Sequence, residues 1–158
     1  MRQTDFYEIR RAEASEWDLA MELAFKVFLK YEATEYGEEG IRSFAEFVTD
    51  EFLKKMFLLG EYHLFVAVAE GKIVGLISLR SGNHISLLFV DEAYHRRGIG
   101  RALVKYLQEF MLQNTKHTTI TVNASPYGAP FYHQLGFHDT GKETTKEGII
   151  YTPMEFYL

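Results

Sequence analysis

Seven consecutive residues, His95-Arg96-Arg97-Gly98-Ile99-Gly100-Arg101, join cationic side chains to two closely spaced glycines. They follow an apolar run, Ile85–Val90, and a short turn, Asp91–Tyr94. After them Ile99, Leu103, Tyr106 and Phe110 recur at the spacing of a helix face. Backbone N–H groups at a helix start have no intrahelical partner, and the helix dipole adds partial positive charge there. Glycine lets a phosphate approach the main chain without a Cβ in the way. The pattern predicts a helix from near Arg101 whose N-terminal loop holds a pyrophosphate. A solvated surface cluster is the competing reading of Arg96, Arg97 and Arg101. A Rossmann fingerprint is excluded because Leu103 stands where its third glycine belongs, and no P-loop lysine is present.

Other chemistry is narrower. The chain has no cysteine, so disulfides, thiolate metal sites and a cysteine nucleophile are excluded. No His/Asp/Glu spacing compels a metal, and none is expected. Ser125 lacks a nucleophile elbow. Glu32, Glu35, Glu38 and Glu39 gather beside Tyr31 and Tyr36 in a segment, 32–40, that reads as an acidic loop. Such a loop either attracts an ammonium group or is simply solvated. A net charge of −5 argues against a nucleic-acid partner. No apolar run is long enough to span a bilayer and the N-terminus has no apolar signal core, so a cytoplasmic protein without a membrane partner is expected.

The elements that must position these residues can be read in order. At 158 residues, 47% of them hydrophobic, the chain is expected to form one domain, 1–158. Phe6 to Arg10 reads as a first strand, and Ser15 as the N-cap of a helix through Trp17, Met21, Phe25 and Phe28. A second helical segment carries Ile41, Phe44, Phe47 and Val48, and continues or breaks near Asp50 into 52–59. His63–Ala69 and Ile73–Leu79 read as a hairpin around Gly71-Lys72. Ile85–Val90, Thr118–Val122, the surroundings of Phe137 and Ile149–Tyr157 supply further strands. Gly128–Leu135 reads as a short helix. The order is that of a mixed α/β or α+β fold.

The loop 95–101, the segment Asn123-Ala124-Ser125-Pro126-Tyr127 and the run Phe131-Tyr132-His133-Gln134-Leu135-Gly136-Phe137 together resemble the GNAT superfamily of acetyl-CoA-dependent N-acetyltransferases. The likeness is strong from about Ala67 to Phe137; His95 departs from the family's Gln/Arg at the head of the loop. The resemblance implies a largely antiparallel, twisted central sheet of about seven strands flanked by about four helices, splayed at its middle strands. It implies that amides of Arg96, Arg97, Gly98, Ile99, Gly100 and Arg101 hold the coenzyme A pyrophosphate. Leu88, Phe89 and Val90 would pair with the pantetheine amides, and Asn123 would bond the same arm. Tyr132 falls at the general-acid position, and His84 falls where several members place a base. For Tyr132 the competing role is core packing, and for His84 a bond to the turn at Asn83. The resemblance also implies an amine acceptor, with Tyr31, Glu32, Glu35 and Tyr36 as candidate contacts, and it allows a homodimer paired through the last strands, 149–158. A non-catalytic acyl-CoA-binding module is the alternative of the same fold. An interaction domain using Phe28, Tyr31 and Tyr36 as exposed aromatics is a third reading.

Overall fold

A computed structural model describes residues 6–158. Its strands are Glu8–Arg11 (β1), His63–Ala69 (β2), Lys72–Arg80 (β3), His84–Val90 (β4), Thr119–Ala124 (β5), His138–Asp139 (β6), Thr144–Lys146 (β7) and Ile149–Tyr157 (β8). Its α-helices are Trp17–Tyr31 (α1), Ala33–Val48 (α2), Glu51–Leu58 (α3), Ile99–Asn114 (α4) and Ala129–Gln134 (α5). The sheet runs β1-β2-β3-β4-β5-β8-β6, with β7 joined to β8 off that path. Every pair is antiparallel except β4–β5.

The sheet is covered on both faces. On one face α4 buries Leu103, Leu107 and Met111 against Ile77, Ile85, Ile120 and Phe137. On the other, Trp17, Phe28 and Val48 of the first helices close over Leu64, Leu76, Leu87 and Phe89. This two-sided burial explains why β2 and β3 read as continuous apolar runs rather than alternating ones. Each fully buried Leu contributes roughly 1.5–3 kcal/mol of transfer free energy.

Several sequence expectations are corrected. Segment 32–40 is not a loop: it forms the start of α2, broken inside by Gly37 at φ 70° and ψ −172°. Glycine tolerates that left-handed kink, and Tyr36 holds the turn to the core by stacking on Phe28 at 5.4 Å. Tyr36 and Phe28 are therefore buried, which removes the exposed-aromatic surface. Ser15 is not the cap. The first turn is 3₁₀, Ala14–Glu16, and Glu13 donates its N–H to Glu16 Oε1 at 2.7 Å. Helix α4 starts two residues earlier than Arg101 because Gly98, at φ 80°, ends the preceding turn. The strand β7 carries no apolar residue and is exposed throughout, so its sequence gave no period to read. Finally, β8 pairs with β5 on one side and with β6 and β7 on the other. Both neighbours meet it at Met154 and Glu155, whereas 149–151 pair only with β7 and 156–157 only with β5.

Candidate active site

β4 and β5 pair at His84↔Thr121 and Ile85↔Val122, then diverge. Beyond that vertex β4 keeps its bonds to β3 while its opposite edge has no strand partner. The register to β3 passes from Leu79↔Ile85 to Ser78↔Leu87, which makes Ser86 a bulge. Its hydroxyl closes a triangle with Tyr62 at 2.5 Å and Ser78 at 2.9 Å, the latter two being 2.7 Å apart. Ser78 is fully buried, and the triangle satisfies it. The bulge is thus pinned from behind, and its open side faces a cleft of about 1370 Å³.

At one end of the cleft lies the arginine–glycine loop. Arg96 at φ 62° and Gly98 at φ 80° both take left-handed backbone. That alternation turns successive N–H groups inward as an anion-binding nest. Ala102 donates to the Gly98 carbonyl at 3.0 Å as the first intrahelical bond, leaving the amides of Ile99, Gly100 and Arg101 without an intrahelical acceptor. A Cβ built on Gly98 would meet nothing within 4 Å, whereas one on Gly100 would touch Phe131 Cζ at 3.4 Å. Open space thus lies beside Gly98, while α5 packs close enough to Gly100 to leave no room for a branched side chain.

The loop's side chains divide. Arg96 and Arg101 line the cleft. Arg97 does not: its guanidinium lies over the rings of Tyr94 at 5.3 Å and Phe6 at 5.6 Å. His95 bonds through Nε2 to the Val90 carbonyl at 2.7 Å, tying the loop to the strand end. Its ring packs on Tyr31 at 5.0 Å, which in turn meets Tyr127 at 5.3 Å. Leu88, Phe89 and Val90 line the wall between loop and vertex, and Asn123 lines the facing wall on β5.

At the centre stands Tyr132, carried by α5. Gly128 N–H donates to Ser125 Oγ at 3.0 Å and Ala129 N–H to the Ser125 carbonyl at 2.8 Å, which starts that helix. Tyr132 is 6% exposed, with its ring between the edges of Phe131 and Phe137. Burial, helped by the nearby Glu32 carboxylate, pushes its phenol up, so it stays protonated. Glu32 is the single residue between α1 and α2; its N–H donates to the Phe28 carbonyl at 2.9 Å. Burial pushes its carboxyl up to about 7, against the opposing pull of the nearby Ser125 and Tyr36 hydroxyls. Tyr36 is itself raised, chiefly by burial.

The other end is walled by α2, the β3–β4 corner and the β7–β8 hairpin. Ser43 Oγ donates to the Glu147 carbonyl at 2.7 Å, and a Cβ on Gly40 would lie only 2.5 Å from the Gly148 carbonyl oxygen. The helix and the hairpin turn are thus in direct backbone contact. His84 sits at this end, its Nδ1 2.8 Å from Thr121 Oγ1 rather than bonded to the Asn83 turn. Burial, then the Arg80 guanidinium, lowers it to about 4. Of the acidic residues in 32–40, Glu32 lines the cleft; Glu35, Glu38 and Glu39 are exposed outside it.

Sequence reasoning missed Ser125, Tyr127, Ser86 and Arg80 as cleft residues. Ser125 lies more than ninety positions from Glu32, and no local spacing signals a contact across that separation. Among the described residues no helix is long and apolar enough to cross a membrane. No group of three or more His, Asp or Glu among them is placed to hold a metal.

The comparisons with known proteins agree with this geometry. The acetyltransferase (GNAT) domain family matches residues 32–158. The chain is 30% identical over 124 residues to the uncharacterized N-acetyltransferase YafP of Escherichia coli, covering 78% of this chain and 75% of that protein. It is 29% identical to the peptidyl-lysine N-acetyltransferase YiaC of the same organism, over 82% of each. The crystal structure of PaiA N-acetyltransferase from Thermoplasma acidophilum in complex with coenzyme A superimposes with a TM-score of 0.79 at 21% identity, over 96% of this chain and 99% of that one. With the splayed sheet, the amide nest and the family match in hand, the chain belongs to the GNAT family of N-acetyltransferases.

Proposed function

We propose that the protein moves the acetyl group of acetyl-CoA to a primary amine by direct attack, with Tyr132 as the acid and Glu32, rather than His84, as the base. The observation that carries this reading is that one cleft is lined by both a buried, protonated phenol and a carboxyl raised to about 7 whose charge the phenol feels. His84, lowered to about 4, is a far weaker base at neutral pH.

Acetyl-CoA supplies the activated acyl carbon and a thiolate leaving group. The nest formed by Arg96 to Arg101 supports the pyrophosphate, with Arg96 and Arg101 adding charge. The open edge of β4 near Leu88 and Phe89, with Asn123 opposite, offers main-chain and amide partners to an extended arm. An alkyl ammonium near pKa 10.4 must first lose a proton to solvent, at a cost of about 4–5 kcal/mol at pH 7. As nitrogen bonds the acyl carbon, Glu32 takes the second proton. The carbon–sulfur bond breaks, and Tyr132 donates its proton to sulfur. Glu32 then returns its proton to the Tyr132 phenolate, so one proton is released per turnover and both groups end as they began.

The test is coenzyme A thiol release across an amine panel, with coenzyme affinity measured separately. Tyr132→Phe should bind coenzyme A normally and lose roughly 10–10³-fold in kcat. Coenzyme binding with no turnover on any amine would instead favour the non-catalytic module.

A further inference from the structure

We propose that the acceptor carries an anionic group, a carboxylate or a phosphate, beyond its amine, and that Arg80 and Lys146 hold that group with His84 beside them. The inference rests on the reading that this cleft acetylates an amine, and it names the class of amine.

Arg80 ends β3 and faces His84 directly across the β3–β4 register. Lys146 ends β7, on the hairpin that closes the far wall. Both line the same cleft as Glu32 and Tyr132. Neither forms an ion pair with an acidic residue among the described residues. A guanidinium and an ammonium brought from separate elements into the lining of one substrate cleft suit an anion. The neutral imidazole, held through Nδ1 by Thr121, presents its other nitrogen as a polar contact without adding charge.

The remaining charge points the same way. Glu35, Glu38 and Glu39 lie outside the cleft, so the acidic funnel suggested by the sequence is absent from its lining. Glu92, at the coenzyme end, is neutralised by Lys30 at 2.8 Å. Among the described residues Glu147 is the one carboxylate that lines the acceptor end, set against two cations. Glu32 is left as the carboxyl whose charge Tyr132 feels, where a reacting amine belongs. A polyamine with one nitrogen at Glu32 would bring further positive charge into a cleft also lined by Arg80 and Lys146, and like charges there select against it. A compact amine with an anionic tail meets the opposite arrangement.

The experiment compares β-alanine, γ-aminobutyrate and 2-aminoethyl phosphate with their uncharged counterparts, a short alkylamine and Nα-acetyl-lysine amide, and with spermidine. Turnover with acetyl-CoA is measured together with calorimetric binding to protein saturated with coenzyme A. The anionic amines should have the highest kcat/KM, and the better of the carboxylate and phosphate series identifies the anion. Arg80→Gln and Lys146→Gln should each raise KM for the anionic amines roughly three- to tenfold, with kcat and the uncharged amines little changed. Spermidine or an uncharged amine matching the anionic ones overturns the proposal, as does an equal loss on charged and uncharged amines. If no amine turns over, the catalytic reading fails, and the calorimetric preference alone decides whether the anion site exists.

Discussion

Glu32 and Tyr132 need each other's surroundings. A carboxyl in water is ionised well below neutrality and a phenol titrates near 10, so neither is poised for transfer at pH 7 in isolation. Burial brings the carboxyl up to neutrality, and it moves the phenol further above, with the carboxylate adding to that shift, so that the phenol holds its proton until sulfur departs. Glu32→Gln should remove a base whose active form appears as pH rises through about 7, lowering kcat/KM roughly 10²-fold above that pH. The corresponding limb should vanish from the pH–rate profile; a profile identical to wild type would assign the base elsewhere. The same shift costs stability. The folded carboxyl holds its proton to about 7 while the unfolded one releases it near 4.5, so between those values the native state binds more protons and stability falls as pH rises. Chemical denaturation at pH 8 should show Glu32→Gln more stable than wild type, by at most about 3 kcal/mol. His84 has the opposite sign. Its folded value near 4 lies below the ordinary 6.5, so the stability it contributes is present above 6.5 and is lost as pH falls toward 4.

At the scale of elements, two close approaches hold the cleft's walls. Gly100 lies against Phe131, next to Tyr132. An alanine there makes ordinary contact at 3.4 Å, but the branches of a valine must displace the Phe131 ring. Gly100→Ala should therefore keep near wild-type coenzyme affinity and turnover, while Gly100→Val loses both. Isothermal titration with coenzyme A checks this, and wild-type affinity in the valine variant would refute it. The second approach is Gly40 on Gly148, locked by the Ser43–Glu147 bond. Gly40→Ala cannot keep that contact, because its Cβ would sit on the Gly148 carbonyl. The α2–hairpin wall must open, at a cost of about 1–3 kcal/mol. Acceptor KM should rise while the coenzyme dissociation constant holds, since the loop at 95–101 lies at the other end.

At the scale of the whole molecule, the sheet is two halves joined at a short seam. β1 to β4 and β5 with β8 and β6 each pair extensively, but β4 and β5 share two register pairs, reinforced by Thr121 N–H to the Asn83 carbonyl at 2.9 Å. A ligand lying in the V touches β4, β5, α4 and α5 at once and so braces the seam. Binding to the native state alone stabilises by about 2.7 kcal/mol at a hundredfold excess over Kd. For a chain of this length that corresponds to roughly 5–11 °C in Tm. Thermal denaturation with and without coenzyme A should show a shift in that range. No shift at saturating coenzyme would mean that it does not bind the folded cleft.

The residues and their spacing determined the local parts of this protein. The loop 95–101 declared itself because glycine and arginine are read by their own backbone and charge, and α4 followed from a 3.6-residue period that needs no partner to be seen. The strands 63–69 and 85–90 were legible as short apolar runs bounded by turn residues. Tertiary structure decided what depends on distant neighbours. The protonation of Glu32 is set by its enclosure near Tyr36, four positions on, and near Ser125 and Tyr132, neither of which its sequence context foretells as a neighbour in space. An acidic run that reads as solvated became a kinked helix because Phe28 offered Tyr36 a face to stack on. A histidine that reads as a base is held well below its ordinary value because the fold sets it away from water and beside Arg80. Charge and burial act through space, and only the packed chain fixes which residues share it.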